Sequence, residues 1–164
     1  MEIAVKNTQR SIRVKRGSIE RIIMSALSQL SDGMQVKCCN LAAGLSFDPS
    51  CAVVSVLLVG DKKMRMLNRT YRGIDRTTDV LSFSQLEGPL SQTETADLGD
   101  IVISPAQAKR QAAEHAETMD RELALLLVHG LLHLIGYDHE KNPYQARKMR
   151  AKEKELLHAI EKVG

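Results

Sequence analysis

Three histidines in the last third of the chain are spaced so that one metal ion could bind all of them. His129 and His133 are four residues apart, so on a helix they lie one above the other on the same face. Gly136 allows the chain to leave that helix in a left-handed conformation, and the turn then returns His139 to the same point. Two ligands on a helix and one after a turn leave the fourth position of a tetrahedral Zn²⁺ ion open. The spacing therefore predicts a catalytic zinc site with one ion per chain.

The residues around these histidines are almost all apolar. The run 123–128 reads LALLLV, and residues 131, 132, 134 and 135 are Leu or Ile. A helix that is apolar on nearly every side is buried, and imidazoles rarely enter a protein interior without partners. A hydrogen-bonded core histidine is the plain alternative for any one of the three. Three histidines at this spacing favour a metal site over separate core histidines.

The spacing H-x3-H-x5-H, with glycine at the eighth position, resembles the zinc motif of the metzincin proteases. In that family a Glu follows the first His and acts as the general base, whereas this chain has Gly130. No Met-turn follows, because Met149 lies in a charged, helix-like segment. A zinc-dependent hydrolase or protease remains an alternative. Such an enzyme would need a base near the metal, and the acidic residues near the motif in sequence are Glu122 and Asp138.

The whole chain has the composition of a small intracellular enzyme. With 164 residues it is predicted to form a single domain, 1–164. No apolar run is long enough for a membrane span, and the N-terminus lacks a signal-peptide core, so a cytoplasmic location is expected. Cys38, Cys39 and Cys51 have no metal-binding spacing and are interpreted as free thiols in a reducing compartment.

Periodicity and capping signals predict strands that alternate with helices. Ser104, Pro105 and Gln107 form a strong helix start, and Asp61 is predicted to cap the helix that follows the most apolar strand. The acidic segment 85–98 is predicted to be a long loop. The predicted strands are 2–6, 51–60, 78–84 and 99–104, and the predicted helices are 17–30, 61–72, 105–116 and two that start near 118 and 143. This order predicts an α+β fold: one three-layer domain with about four strands in a mixed sheet and about five helices.

The helix predicted over 61–72 has a basic face. At 100° per residue, one quadrant carries Lys62, Arg65, Arg69 and Arg72. Met64, Leu67 and Tyr71 cluster nearly opposite and are predicted to face the core. Cations on one helix face repel one another, and a polyanion bound to that face would explain why they are clustered. The alternative is that the basic face is simply exposed to solvent. Aromatic residues make up only 3% of the chain, so phosphate contacts rather than base stacking are expected.

Three motifs in this order resemble one known family. They are LNRTYRGIDRTTDVLSF at 67–83, LGDIVIS at 98–104 and HGLLHLIGYDH at 129–139. Together they resemble the signature of the YbeY family of rRNA-maturation endoribonucleases. The resemblance implies a small α+β domain, a single zinc bound by His129, His133 and His139, and metal-dependent cleavage of single-stranded RNA. It also implies maturation of the 3′ end of small-subunit rRNA and ribosome quality control. The expected partners are rRNA, the small ribosomal subunit and its assembly factors, with no DNA and no membrane.

The resemblance also assigns a basic residue to the site. This residue most closely corresponds to Arg72 in Tyr-Arg-Gly, with Arg69 and Arg76 as neighbouring alternatives. Arg72 is therefore the predicted catalytic residue, where its guanidinium would stabilise charge on the phosphate. The predicted RNA-binding residues are Lys62, Arg65, Arg69 and Arg76. The nucleophile is either metal-activated water or the ribose 2′-OH, and a non-catalytic ribosome assembly factor is a further alternative.

Several other residues are expected to have a structural role or no role at the site. Asp138 either orients an imidazole or caps its own turn, and the turn role is favoured because Asp in such turns commonly bonds its own backbone. His115 and His158 are expected to be uninvolved. After Ser82 and Phe83 the family usually has Pro, whereas this chain has Ser84 followed by a longer acidic loop.

Overall fold

The described part of the chain contains strands and helices in mixed order. The computed structural model describes residues 1–33, 51–85, 96–140 and 142–163. The elements in this part of the chain are β1 (Glu2–Asn7), α1 (Arg16–Gly33), β2 (Ala52–Leu58), α2 (Asp61–Arg72), β3 (Val80–Ser84), β4 (Ala96–Ile103), α3 (Pro105–Glu114), α4 (Met119–Leu134) and α5 (Pro143–Val163).

The four strands form one mixed sheet in the order β1-β2-β4-β3. β1 pairs with β2 and β2 pairs with β4 in parallel, with Val5 opposite Val56 and Leu58 opposite Ile103. β3 runs antiparallel to β4, with Ser82 opposite Ile101. The predicted α+β class and mixed sheet are confirmed.

Helices cover both faces of this sheet. Alternate residues of β2 are buried on one face, where Val54 and Val56 pack in a large core with side chains of α1, α4 and α5. On the opposite face Met64 of α2 packs with Leu81 and Val102 in a second, smaller core. The second face of β2 is half-buried, so the strand alternates rather than being buried throughout. Among the described residues, no helix is long and apolar enough to cross a membrane.

One predicted helix cap and one predicted strand start are wrong. α2 begins at Asp61, and its N-cap is Gly60, which makes no side-chain capping bond. Asp61 instead accepts a hydrogen bond from Ser104 Oγ at 2.8 Å and pairs with Arg110 at 2.9 Å, so its carboxylate ties α2 to the start of α3. The residue that caps as predicted is Ser104, whose hydroxyl accepts the Gln107 N–H.

The wrong strand start lies in the segment 85–98, which was predicted to be a loop. β4 starts at Ala96, so residues 96–98 belong to the sheet, while 86–95 lie outside the described residues. The β2–β4 register shifts between Val53 and Val54, opposite Asp97 and Gly99. This bulge breaks the alternation of polar and apolar residues, which is the signal that marks a strand in sequence. Cys38 and Cys39 also lie outside the described residues, and Cys51 is half-buried.

Candidate metal centre and adjoining basic face

The helix α4 supplies two of the predicted metal ligands. It starts at the N-cap Thr118, whose hydroxyl accepts the Arg121 N–H, and most of its residues are buried. His129 and His133 lie one turn apart on the same face, with ring centroids 4.8 Å apart. Their Nε2 atoms are separated by 3.2 Å and therefore face each other. Burial of α4 on most sides holds both imidazoles in place.

A glycine turn brings in the third predicted ligand. Gly136 has φ +95°. Its N–H donates to the His133 carbonyl, and the Tyr137 N–H donates to the Leu132 carbonyl, a pair of bonds that closes a helix at a left-handed residue. The chain then returns, so that the His139 ring centroid lies 5.2 Å from that of His129 and 5.0 Å from that of His133. One ligand atom from each of the three imidazoles lies within 4.8 Å of the others.

The geometry and chemistry of this cluster fit a zinc ion. With Zn–N bonds of about 2.0–2.1 Å, two ligands of a tetrahedral site are about 3.3 Å apart. The 3.2 Å between the Nε2 atoms of His129 and His133 matches that edge. His139 is the most exposed of the three, with 41% of its side chain accessible, so the cluster is open on the side of the turn. Three imidazole nitrogens and an open side are compatible with a divalent metal ion that keeps a free coordination position.

Burial keeps His133 in the form that binds metal. Burial is the main cause that lowers the pKa of His133 to about 4, and the neighbouring His129 and His139 lower it further because a second positive charge there is unfavourable. At neutral pH its imidazole is therefore neutral and keeps the lone pair that a metal ion needs.

Glu153 of α5 contacts the histidine cluster, and the sequence interpretation missed it. Its Oε1 lies 2.9 Å from Nδ1 of His129, and only 17% of its side chain is exposed. The sequence did carry a signal. Met149 and Leu156 are buried core residues, and Glu153 falls at i+4 and i−3 from them, on the apolar face of α5. A carboxylate on a buried face needs a partner, and here the partner is an imidazole of the cluster.

Small residues allow α4 to approach the sheet at the level of the cluster. A Cβ on Gly130 would lie 2.8 Å from Ile101 Cγ2 and 3.1 Å from Ser82 Oγ. Position 130 therefore faces the sheet and has no room for the Glu that a metzincin carries there. Close by, Ser84 Oγ donates to the Leu134 carbonyl at 2.8 Å. Where the resembled family usually has Pro, this chain thus gains a hydrogen bond to the last turn of α4.

Arg72 lies beside the histidine turn. Its Nη2 is 3.3 Å from Glu140 Oε1, and the same oxygen is 4.0 Å from His139 Nε2. The C-terminal end of α2 and the turn that carries His139 are thus neighbours, although 67 positions separate Arg72 from His139. Arg72 is still 46% exposed, so its guanidinium is accessible from the open side of the cluster.

The remaining predicted RNA-binding residues lie on the exposed face of α2 and the turn after it. Lys62, Arg69 and Arg76 are exposed. Arg65 is exposed too, but Asp75 binds it bidentately with two contacts of 2.9 Å. The hydrogen bonds to Asp75 raise the pKa of Arg65, and those from Arg65 lower the pKa of Asp75. Arg65 is thus already neutralised within the chain.

One prediction for the opposite side of α2 is wrong. Met64 is fully buried and Leu67 packs against the smaller core, as expected, but Tyr71 is 63% exposed. The Tyr71 ring packs edge-on against Phe83, with ring centroids 4.9 Å apart. The buried polar residue of this helix is Asn68, whose Nδ2 donates to the Arg76 carbonyl at 2.8 Å. Asn68 thereby fixes the turn that follows Arg72.

Two aspartates of the motifs have structural partners. Asp79 Oδ1 accepts from Val80 N at 2.8 Å, and its Oδ2 accepts from Gln111 Nε2 at 3.0 Å, which ties β3 to α3. Asp138 Oδ1 accepts the Glu140 N–H at 2.9 Å, which is the turn role favoured from the sequence.

The buried Glu122 is remote from the cluster. It is only 3% exposed, and its Oε2 lies 3.3 Å from Nδ1 of His115. Seven residues before His129 on the same helix, it is about 10 Å away along the helix axis. Glu122 is therefore not placed to act as a base at the cluster.

Comparisons with known proteins agree with these features. The family model for endoribonuclease YbeY matches residues 4–161. Proteins named endoribonuclease YbeY include one from Thermodesulfovibrio yellowstonii, 38% identical over 157 residues that cover 96% of each chain. Another, from a Geobacillus species, is 43% identical over 124 residues, 72% of this chain and 79% of the relative. The solution structure of TM1509 from Thermotoga maritima superposes with a TM-score of 0.57 and 26% identity, covering 96% of this chain and 88% of that one. The chain therefore belongs to the YbeY family of endoribonucleases.

Proposed function

We propose that this protein is a zinc-dependent endoribonuclease that cleaves single-stranded RNA at the cluster of His129, His133 and His139. The observation that carries the proposal is the convergence of three imidazole donors within 4.8 Å in a chain of an endoribonuclease family. Because the family match extends over residues 4–161, we also propose that 1–164 form one domain.

The three histidines would hold the ion and leave one side of it open. A divalent metal at such a site supplies Lewis acidity to a phosphodiester and a coordination position for substrate. His133 contributes a neutral imidazole because burial lowers its pKa. His139, on the turn, borders the open side, where RNA would enter.

Arg72 is the residue proposed to bind the scissile phosphate. Its guanidinium faces the carboxylate of Glu140, and both side chains are substantially exposed. Exposed ion pairs of this kind contribute little to stability, so a phosphate can replace the carboxylate at low cost. A guanidinium can bind two phosphate oxygens at once and stabilise the additional charge of the transition state.

The basic face of α2 would guide the RNA backbone to the cluster. Lys62 and Arg69 are exposed on the face of α2 that also carries Arg72, and Arg76 is exposed in the turn that follows, which supports phosphate contacts there. Arg65 would contribute less, because Asp75 binds it with two contacts of 2.9 Å, whereas Arg72 has a single contact of 3.3 Å with Glu140. The proposed biological substrate is rRNA at the 3′ end of the small subunit, in the cytoplasm. The small ribosomal subunit and its assembly factors are the proposed partners, and ribosome quality control is part of the proposed role.

The structure provides little support for a protease. Gly130 occupies the position of the metzincin base and faces Ile101, Glu122 is bonded to His115, and Asp138 is bonded to its own turn. Glu122 is therefore remote from the cluster, and Oδ1 of Asp138 is engaged in its own turn.

Three matched assays separate the candidate functions. Purified protein is incubated with a labelled single-stranded RNA, with the DNA of the same sequence and with a fluorogenic peptide, each with and without a chelator. We expect chelator-sensitive cleavage of the RNA alone. Chelator-sensitive peptide cleavage would support the protease, and RNA binding without cleavage would support a non-catalytic assembly factor.

A further inference from the structure

Glu153 is in an unusual place for a carboxylate. It lies on the face of α5 that packs into the core, between Met149 and Leu156, which are 1% and 0% exposed. Its neighbour Lys152 pairs with Glu155 at 2.9 Å, so the nearby lysine does not compensate the charge of Glu153. The contact that compensates it is the 2.9 Å hydrogen bond to Nδ1 of His129.

We propose that Glu153 is a positioning residue for the metal centre, an inference that rests on the metal binding proposed above. A carboxylate has no proton at neutral pH, so the donor in this bond is Nδ1–H of His129. A neutral imidazole protonated at Nδ1 keeps its lone pair on Nε2. That is the nitrogen that faces Nε2 of His133 at 3.2 Å. Glu153 therefore selects both the tautomer and the ring orientation with which His129 binds metal.

The geometry distinguishes this role from direct ligation or catalysis. The carboxylate bonds to the nitrogen on the far side of the ring from the cluster, so it does not share the open coordination side. The group of ligand atoms within 4.8 Å of one another comprises the three imidazoles and not Glu153. A carboxylate in this position strengthens the imidazole as a ligand, because it stabilises the positive charge that the ring acquires on binding a cation.

The other two imidazoles have carboxylates of the turn as neighbours, because Asp138 and Glu140 both interact electrostatically with His133. His139 has Glu140 Oε1 at 4.0 Å, beyond hydrogen-bonding distance, and that carboxylate is 66% exposed. His133 contacts His129. Glu153 thus fixes the ring of His129, to which it is hydrogen-bonded at 2.9 Å.

The test measures zinc affinity rather than cleavage. Zinc dissociation constants of the wild type, Glu153→Ala, Glu153→Gln and Glu155→Ala are determined by competition with a chromophoric chelator. Glu155 is the matched control, since it lies on the same helix but is exposed and pairs with Lys152. Loss of a carboxylate behind a metal-binding His typically weakens binding by about 10–100-fold. We expect that loss for Glu153→Ala, a smaller loss for Glu153→Gln, whose amide oxygen can still accept the Nδ1 proton, and no change for Glu155→Ala.

A second measurement has a wild-type arm that does not depend on the stability of any variant. Long-range ¹⁵N–¹H NMR of the metal-free wild type reports which ring nitrogen of His129 carries the proton. We expect Nδ1–H in the wild type and a mixture of tautomers in Glu153→Ala. An Nε2–H tautomer in the wild type, or wild-type affinity in Glu153→Ala, overturns this inference alone. A wild-type chain that binds no zinc overturns the proposed metal site as well, so the two failures are distinguishable.

Discussion

The histidine cluster and the basic face of α2 are neighbours that differ in how their side chains are held. His129 and His133 sit on a helix that is buried on most sides, and Glu153 fixes one ring from behind. Arg65 and Arg72 are 59% and 46% exposed and are held by single carboxylates at the surface. The first region is preorganised for one ligand geometry, and the second can adapt to a flexible polyanion. Substitutions in the cluster should therefore abolish a function, whereas substitutions on the basic face should weaken it in a salt-dependent way.

The largest effect is expected for removal of a proposed ligand. His133→Ala deletes the central imidazole of the cluster, and two remaining nitrogens hold zinc poorly. Metal analysis after gel filtration should find close to one zinc per wild-type chain and almost none in the variant. His158→Ala, which alters an exposed histidine of α5, is the control and should keep its metal. Full occupancy in His133→Ala would remove this residue from the site.

The next largest effect is expected for Arg72. Both Arg72→Ala and Arg72→Lys should lower single-turnover cleavage of RNA at saturating enzyme by about 10²–10³, the usual cost of removing one transition-state donor. Lysine keeps the charge but loses the planar fork, so it tests geometry separately from charge. Both variants should retain zinc and melt near the wild type, because the pair with Glu140 is exposed.

The control for Arg72 is Arg110→Ala. Arg110 is likewise 46% exposed and pairs with a carboxylate, Asp61, at 2.9 Å. Its removal should leave the cleavage rate unchanged. If Arg72→Ala cleaves RNA at the wild-type rate, the catalytic role should be sought at Arg69 or Arg76.

A smaller effect, on the stability of the fold, is expected from disturbing the packing of α4 against the sheet. In Gly130→Ala the new methyl group would lie 2.8 Å from Ile101 Cγ2, so α4 must shift away from the sheet. Overpacking of this kind costs about 1–3 kcal/mol, of which the better helix propensity of Ala offsets up to about 1 kcal/mol. Chemical denaturation should show a net loss of stability. Gly17→Ala, where no atom lies within 4 Å of the added carbon, should be neutral or slightly stabilising. Equal stabilities for the two variants would mean that the approach of α4 to the sheet is not tight.

The smallest effect is expected for single substitutions on the basic face of α2, measured as a change in the salt dependence of RNA binding. On a single strand, removing one cation that binds a phosphate should reduce the slope of log K against log[salt] by about 0.7. We expect this reduction for Lys62→Ala and for Arg69→Ala. Arg65→Ala should change the slope less, because the bidentate pair with Asp75 competes with phosphate for Arg65. An unchanged slope in all three variants would show that the face is only solvated.

The sequence predicted the cluster better than its surroundings. The i, i+4 spacing of His129 and His133 and the left-handed turn at Gly136 are local features, and local geometry follows from local sequence. Glu153 lies 24 residues beyond His129, and its contact depends on how α5 docks, which no short-range pattern encodes.

The same limit explains what the sequence did not predict in the basic helix. The helical wheel identified the charged face of α2 and the burial of Met64. It could not show that Tyr71 would pack at the sheet edge on Phe83, or that Asp75 would return to bind Arg65. Those contacts follow the turn that Asn68 holds in place. The fold class was predictable because the order of strands and helices is read over the whole chain. The start of β4 was not predictable, because the bulge interrupts its alternation of polar and apolar residues.

The most direct test of the proposed catalytic centre follows RNA cleavage as zinc is returned to stripped protein. Single-turnover cleavage of single-stranded RNA and bound zinc are measured in the same samples, for the wild type and for His133→Ala, with circular dichroism to monitor the fold. The wild-type rate should rise in proportion to occupancy and stop rising at one ion per chain, while His133→Ala remains inactive and folded. Cleavage at the full rate by folded, zinc-free wild-type protein would contradict a catalytic role for the three-histidine site.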